Sequence, residues 1–570
     1  MWEVVVVWTA AMAGKGGLGL LRASASPAPV QVHLALGHTP STMSVGWATY
    51  DSTAPHPGSV TWSLDSGLGG AVNATGDVRP FTADPGRTWY THTANMTGLK
   101  PSTRYYYRVS SATGETSKTF SFKTQPDSST LAASLPERHL ILGDMGAADA
   151  FSLCAACTGI SPVCDASACS KAATPGGLVS EIGTATHITH CGDFAYNFDT
   201  DGGELGDHFM ANIEQVAANV PYMTSIGNHE NDPAALAHYT ERFRNMPSNS
   251  GTVGTVNSPG VAPNNWYYSW DAGLVHYVAI STELYFGVSG GADGTLEAMH
   301  AWLEADLTLA NANREAVPWI VVHGHRAIWC SGGKDCDDQA TTVRNGPSGN
   351  GTLGMEPLLF RHGVDLFVNG HEHSWERTYP IYNGSFDPSY TNPKATVYVV
   401  TGAAGCRELH KPWTHPQAPF TAFRSNTFGY TRLEVFNHSH LLMTQIETDP
   451  PLFGGAYGRV LDSVWIVQPN HGPFDASDPP STCAPGACVG KGVSYDHWRP
   501  LLGLGDPTGS HTDTMAAFVG REAELLERFR AGGGDGQWMR SGYDLLAGAR
   551  GTAGGGDAVW EDLGAEGNEP

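Results

Sequence analysis

Two hydrophobic patterns divide the chain. From residue 30 to residue 125, apolar and polar positions alternate in short runs, VQVHLAL, MSVGWATY, VTWSL, RYYYRVS and FSFKT, separated by clusters of Gly, Pro, Ser and Asn. Period-two alternation between turn residues predicts half-buried strands, and several at this spacing predict an all-β sandwich. From about residue 137 the pattern changes. HLILGD, THITHCGD, PYMTSIGN, WIVVHGH and VDLFVNGH are each an apolar run that ends in Gly and a polar residue able to bind a metal. Helical stretches lie between them, for instance Pro233 to Met246 and Gly294 to Ala312, so this part is predicted to be α/β. YTRLEVF, HLLMTQIE and VLDSVWIVQ close the domain at Gln468.

The predicted organisation is therefore a β-sandwich over 28–127, a catalytic α/β domain over 137–468 with a Cys-rich insertion over about 147–180, and a low-complexity extension over 469–570. The extension is rich in Pro and Asp at first and in GGG runs and acids later, although Thr512 to Ala531 has helical spacing. Residues 1–25 read as a secretion signal: an apolar run too short to span a bilayer, then Ala23-Ser24-Ala25 as a small-residue cleavage site. Glu3 in place of a positive start, and Lys15 before the cleavage site, depart from that pattern. The stretch from Leu99 to Val109, LKPSTRYYYRV, is similar to the turn and penultimate strand of a fibronectin type III domain, where a Tyr ties the corner to the backbone.

Charge removes several functions. With 56 acidic against 32 basic residues the formal net charge is -24, which argues against binding nucleic acid or an anionic membrane surface. No stretch reads as a membrane span. An anionic substrate meets a repulsive long-range field, so phosphate affinity has to come from local positive charge such as bound metal.

Ten cysteines and five Asn-X-Ser/Thr sequons, at Asn73, Asn95, Asn350, Asn383 and Asn437, fit the secretory pathway, with a secreted or a vacuolar or lysosomal destination. Cys330 with Cys336, and Cys483 with Cys488, are close enough for small disulfide loops. Cys154, Cys157, Cys164 and Cys169 suit a zinc knot or two disulfides, and an oxidising compartment favours the disulfides; Cys191 and Cys406 read as buried thiols.

Five motifs sit where apolar runs give way to loops: GDMG with Asp144, GDFAY with Asp193 and Tyr196, GNHE with Asn228 and His229, HGHR with His325, and GHEH with His371 and His373. Metals that act on phosphate esters need hard oxygens and imidazoles, with a carboxylate shared between ions about 3.5 to 4 Å apart. Asp193 can present one oxygen to each ion. Tyr196 lies three residues on, and a phenol with a reference pKa near about 10 yields its proton to a strongly acidic metal, for which ferric iron is the natural candidate. His371 and His373 alternate, with Glu372 between them turned away. Asn228 offers a neutral oxygen suited to a divalent ion, leaving His229 free as a proton donor.

In these motifs, and in their order, the chain resembles a purple acid phosphatase of the metallophosphoesterase superfamily, in the long form with an N-terminal fibronectin-like domain; the resemblance runs from about residue 28 to 468. It implies a sandwich followed by a four-layer α/β/β/α metallophosphoesterase domain. It implies ferric iron held by Asp144, Asp193, Tyr196 and His373, and zinc, manganese or ferrous iron held by Asp193, Asn228, His325 and His371. It further implies attack on phosphorus by a metal-bound hydroxide, protonation of the leaving alcohol by His229, and an acidic pH optimum.

HGHR holds two histidines, and the family's Gly-His-Arg-Pro pattern aligns with Gly324, His325 and Arg326, with Ala327 in place of Pro. That makes His325 the ligand and His323 a supporting residue, as are Arg326, Glu230 and Glu376 if they orient ligands. The expected substrate is a small phosphate monoester. Phytate, a nucleotide anhydride or a phosphodiester would suit the same centre, and a non-catalytic extracellular binding protein is the rival from another class. Oligomeric state stays open, a homodimer included.

Overall fold

In the computed structural model of the chain, the described residues are 28–37, 39–50, 56–84, 87–147, 177–232, 236–250, 265–287, 294–349, 351–405, 408, 413–448 and 458–481. The secretion-signal run, the four clustered cysteines, Asn350, Cys406, the Cys483 and Cys488 pair, and the helical stretch from Thr512 lie outside them.

The N-terminal part is a sandwich of two four-stranded antiparallel sheets. One runs Val30–Leu36, Met43–Thr49, Arg87–Met96, Asp77–Asp84, and the other Val72–Thr75, Ser59–Ser63, Arg104–Ser110, Phe120–Lys123. The alternation is visible in Arg104–Ser110, where Tyr105, Tyr107 and Val109 are buried and Arg104 and Arg108 are exposed. Tyr105 Oη accepts the backbone N–H of Lys100 at 3.0 Å, which ties the turn to the strand. Asp77–Asp84 is a strand that alternation did not mark; it lies at a sheet edge, where Pro80 costs no ladder bond.

Two larger sheets follow. The six-stranded sheet runs Tyr222–Thr224, Ala185–His190, Glu137–Leu142, Gly429–Val435, His440–Glu447, Val460–Val467, with its first three strands parallel. The seven-stranded sheet runs Tyr268–Ala272, Val275–Ala279, Trp319–His323, Leu366–Asn369, Val397–Thr401, Trp375–Thr378, Thr421–Ser425, and Val275–Ala279 through Val397–Thr401 are parallel. Both faces of the parallel strands are buried, which is why the sequence shows continuous apolar runs there. Trp319 and Val321 join the core between the sheets, whereas Ile320 and Val322 pack outward with Trp302 and Leu303 of the helix Thr295–Ala312. The helix Glu204–Ala217 covers the other sheet, Phe209 standing 6.1 Å from the His190 ring. The same helix meets the sandwich through Glu214, whose Oε2 accepts Val32 N–H at 3.0 Å.

The helix expected over Pro233 to Met246 is shorter, Ala237–Arg242, because Leu236 takes a left-handed conformation at φ 60° and delays its start. Cys330 and Cys336 form a disulfide with a Cα separation of 5.2 Å, and Cys191 is a buried free thiol.

Histidines line the core between the two sheets. His139 and His187 are fully buried with ring centroids 4.5 Å apart, and Tyr277 lies 4.8 Å from His187. His139 Nδ1 meets Tyr277 Oη at 2.7 Å, while neither nitrogen of His187 has a hydrogen-bond partner among the described residues. Burial holds His187 well below its ordinary value and brings His139 down to about 3. Both are neutral in the fold but titrate near 6.5 when unfolded, so as pH falls below 6.5 the unfolded chain binds the extra protons. Their share of stability is complete above pH 6.5 and declines toward pH 3, by up to about 1.4 kcal/mol per pH unit for each histidine. We expect the melting temperature to drop on acidification from pH 7 to pH 4.5. His187→Leu should flatten that slope without lowering the pH 7 value. A Tm loss of the same size at every pH would contradict this account.

Candidate metal centre

All five motif loops leave carboxyl ends of parallel strands, three from one sheet and two from the other. Asp144 follows Glu137–Leu142, Asp193 follows Ala185–His190 and Asn228 follows Tyr222–Thr224; His325 follows Trp319–His323, and His371 and His373 follow Leu366–Asn369. Strand ends are level within each sheet, with Leu142 paired to His190 and His190 to Thr224, and Ala279 to His323 and His323 to Val368. The loops then cross the seam: Gly143 N–H bonds Thr401 O at 3.0 Å, and His371 N–H bonds Asp144 Oδ2 at 2.9 Å.

The polar atoms fall into two groups. In the first, Tyr196 Oη lies 2.9 Å from His373 Nε2 and 3.2 Å from Asp144 Oδ1, and His373 Nε2 is 3.4 Å from the same carboxylate oxygen. In the second, His325 Nε2 lies 3.0 Å from Asn228 Oδ1, 3.2 Å from Asp193 Oδ2 and 3.3 Å from His371 Nδ1. Asp144, Asp193, Tyr196, His325 and His373 are buried, while Asn228, His229 and His371 border the opening. Among the described residues Asp144 and Asp193 form ion pairs only with histidines.

This donor set fits cations. His325 Nδ1 faces the Cys191 carbonyl at 2.8 Å and so carries the proton of a neutral ring, which leaves an Nε2 lone pair facing carboxylate and amide oxygens. Such a convergence of acceptors requires a positive centre. Without a metal a proton takes that place. Burial opposes a charged His325, yet Asp193, and behind it Asp144 and Glu283, hold the imidazolium up to about 10. Burial would raise the Asp193 carboxyl, but facing His325 it lies well below the usual carboxylate range. Asp193, His325 and His371 offer ligand atoms close enough to share one ion. Carboxylate, phenol, amide and imidazole donors of this kind suit a hard ferric ion and a borderline divalent one.

Backbone conformation is unusual at these positions. Asp144, Asp193, Tyr196 and His371 all have φ between 55° and 69°, the left-handed region that non-glycine residues seldom enter. Two glycines permit the loops to touch. A Cβ on Gly227 would lie 2.2 Å from Asp193 Oδ1, and one on Gly370 would lie 2.3 Å from Asp144 Oδ2.

Supporting groups divide by what they touch. Glu230 accepts the N–H groups of Asp193, Phe194 and Gly227 at 2.8 to 2.9 Å and so ties two motif loops together; burial and the Asp193 charge push its carboxyl up. Arg326 is gripped by Glu283, with Nε at 2.9 and 3.0 Å from its two oxygens, and reaches His371 Nε2 at 3.2 Å. His323 meets Ser225 Oγ at 3.2 Å within the inter-sheet core and does not reach the donor groups. Glu376 accepts from Ser331 N–H and Thr421 Oγ1 and likewise touches none of the seven donors. Sequence reading passed over Glu283 and also Asn197, whose Oδ1 lies 2.5 Å from His229 Nδ1; a carboxamide directly after GDFAY was the available signal.

Three family descriptions match the chain: "Purple acid Phosphatase, N-terminal domain" over 29–124, "Calcineurin-like phosphoesterase" over 165–375, and "Iron/zinc purple acid phosphatase-like protein C" over 395–463. Acid phosphatase type 7 of Homo sapiens is 35% identical over 468 residues, which cover 80% of this chain and 94% of that protein. Acid phosphatase A of Cryphonectria parasitica is 29% identical, over 77% of this chain and 92% of its own length. Among solved structures, a purple acid phosphatase from yellow lupin (Lupinus luteus) seeds matches with a TM-score of 0.58 and 25% identity, over 81% of this chain and 78% of that one.

The close approach of the loops yields a test. Gly370→Ala places a methyl against Asp144 and is expected to lower bound metal, measured by elemental analysis, while the circular dichroism spectrum is kept. Full metal content in that variant would show that the loops have room to spare.

Proposed function

From the premise that the chain belongs to the purple acid phosphatases, phosphoester hydrolases with a dinuclear metal centre, we propose which residues hold each ion and which one moves the proton. Asp144, Asp193, Tyr196 and His373 hold a ferric ion. Asp193, Asn228, His325 and His371 hold a divalent ion, zinc, manganese or ferrous iron. The observation that carries this reading is that a buried tyrosine and Asp144 belong to one donor group, and an amide and Asp193 to the other.

Two ions bound there supply Lewis acidity toward a phosphate ester and toward water, and offset the charge that develops in displacement at phosphorus. The chain itself places that chemistry in a pocket whose floor is buried and whose rim is Asn228, His229 and His371. His229 is anchored by its backbone N–H to Asp193 Oδ1 at 2.9 Å, and its Nε2 lies 4.0 Å from Asp193 Oδ2 and 3.7 Å from Glu408 Oε1. From this position it delivers a proton to the departing alkoxide oxygen. The substrate class is a small phosphate monoester, in line with the acid phosphatases to which the chain is similar.

The secretory pathway is the proposed route. The Cys330–Cys336 disulfide and the exposed sequon asparagines Asn73, Asn95 and Asn383 support it, and no helix among the described residues is long and apolar enough to cross a membrane.

Metal analysis of the purified protein tests the ions directly. A Tyr196 phenolate on ferric iron gives the protein a visible charge-transfer colour, which Tyr196→Phe is expected to bleach; a colourless, iron-free preparation with full activity overturns the ferric assignment. His229→Ala is expected to slow alkyl phosphates about 10²-fold or more and p-nitrophenyl phosphate much less, because a good leaving group needs no proton. Equal losses on both esters would remove His229 as the acid. An aryl monophosphate hydrolysed faster than its diester supports the monoester reading, and the reverse order supports a diesterase.

A further inference from the structure

We propose that Asn197 is a positioning residue for proton delivery: its carboxamide oxygen fixes the His229 ring so that Nε2 is always the nitrogen that gives up the proton. The proposal rests on the reading of His229 as the acid. It begins from one contact, Asn197 Oδ1 to His229 Nδ1 at 2.5 Å. An amide oxygen only accepts, so the hydrogen of that contact belongs to Nδ1. A neutral imidazole otherwise exists as two tautomers, and an imidazolium that released its proton from Nδ1 would keep the one on Nε2 and deliver none across the opening. With Nδ1–H pinned to Asn197, the proton lost is the one on Nε2, the nitrogen that faces Asp193 and Glu408 across the opening.

The backbone and stacking contacts of His229 do not make that choice, and Asp193 and Glu408 lie beyond hydrogen-bond distance of Nε2. Its backbone N–H bond to Asp193 places the residue without orienting the ring. Tyr196 packs on the ring, centroids 4.3 Å apart and planes at 39°, which restricts tilt but leaves a half-turn about χ2 open. Asn197 alone among these distinguishes the two nitrogens. It reaches the ring because Tyr196, at φ 55°, turns the chain sharply, so that one loop supplies the phenol from residue 196 and the acceptor from residue 197.

An amide rather than a carboxylate is chemically apt here. His229 already has Asp193 below it and Glu408 beside it, and the substrate adds a phosphate dianion. A neutral acceptor orients the ring without adding a further negative charge. This separates orientation from charge and defines two informative variants. Asn197→Leu keeps the branching at Cγ and removes the acceptor. Asn197→Asp keeps the acceptor and adds a charge.

Both variants are measured as metal-loaded enzyme with an alkyl phosphate and with p-nitrophenyl phosphate, alongside His229→Ala. Asn197→Leu is expected to lower kcat on the alkyl ester at least about tenfold more than on the aryl ester, with metal content retained, since general acid catalysis is worth about 10²- to 10⁴-fold and only the poor leaving group depends on it. Asn197→Asp is expected to restore most of the alkyl kcat while KM rises for both esters. In the His229→Ala background, Asn197→Leu is expected to add nothing. Equal loss on the two esters, loss of metal in both variants, or an Asp variant as slow as the Leu variant overturns the proposal. If His229→Ala itself shows no leaving-group preference, the assignment of the acid fails. If that preference is present but absent in Asn197→Leu, only the positioning role fails.

Discussion

Two carboxylates, Asp144 and Asp193, are buried with histidines as their only ion-pair partners among the described residues. Removing such groups from water is costly unless positive charge meets them. Among the described residues no arginine or lysine pairs with either carboxylate. Arg326, whose guanidinium reaches His371, is already held by Glu283. The fold therefore leaves a deficit of positive charge at one point, and the surrounding imidazoles, phenol and amide converge on that point. The deficit is local, and it lies within a chain whose overall field is strongly negative. Phosphate is drawn to the centre by nearby cations against the long-range field.

The remaining geometry follows from bringing donors of two sheets to one place. Four donor residues occupy left-handed backbone conformations, and the glycines before Asn228 and His371 have no room for a methyl group. Glu230 joins the Asp193 and Asn228 loops through three N–H bonds, and Asp144 receives the N–H of His371 from the opposite sheet. Strain of this kind persists only where surrounding contacts over-determine it. The motifs are short because each needs only a glycine, a turn and a donor, with the apolar strand before it supplying rigidity.

Much of this was legible before any coordinates. The strands carrying the motifs are buried on both faces, so they appear as uninterrupted apolar runs, and metal chemistry limits the residue types that can follow them. What was not legible depends on direction more than on composition. Choosing between His323 and His325 required knowing that the strand ends at His323 with its ring in the inter-sheet core, and that the loop then turns His325 toward Asp193. Asn197 offered a carboxamide next to the motif, but its reach to His229 depends on a left-handed Tyr196 that no periodicity reveals. The edge strand Asp77–Asp84 was hidden by Pro80 and by flanking acids, and the helix after Pro233 was overextended because a left-handed Leu236 leaves no trace in apolar spacing. The helix Glu204–Ala217 was readable, since Phe209, Ile213 and Val216 share a face, and it was simply passed over.

The six-stranded sheet has a consequence for the order in which the molecule can be made. Its parallel strands, which carry Asp144, Asp193 and Asn228, come early in the chain, but Glu137–Leu142 is hydrogen-bonded on its other side to Gly429–Val435, nearly three hundred residues later. The seven-stranded sheet that carries the histidines is inserted between these two segments. A ribosome therefore releases every candidate donor before it releases the strands that complete the first sheet. The half-made chain holds all five motifs while lacking part of the sheet behind three of them. The first sheet is thus complete only once synthesis has passed Val467, long after the motifs themselves have emerged.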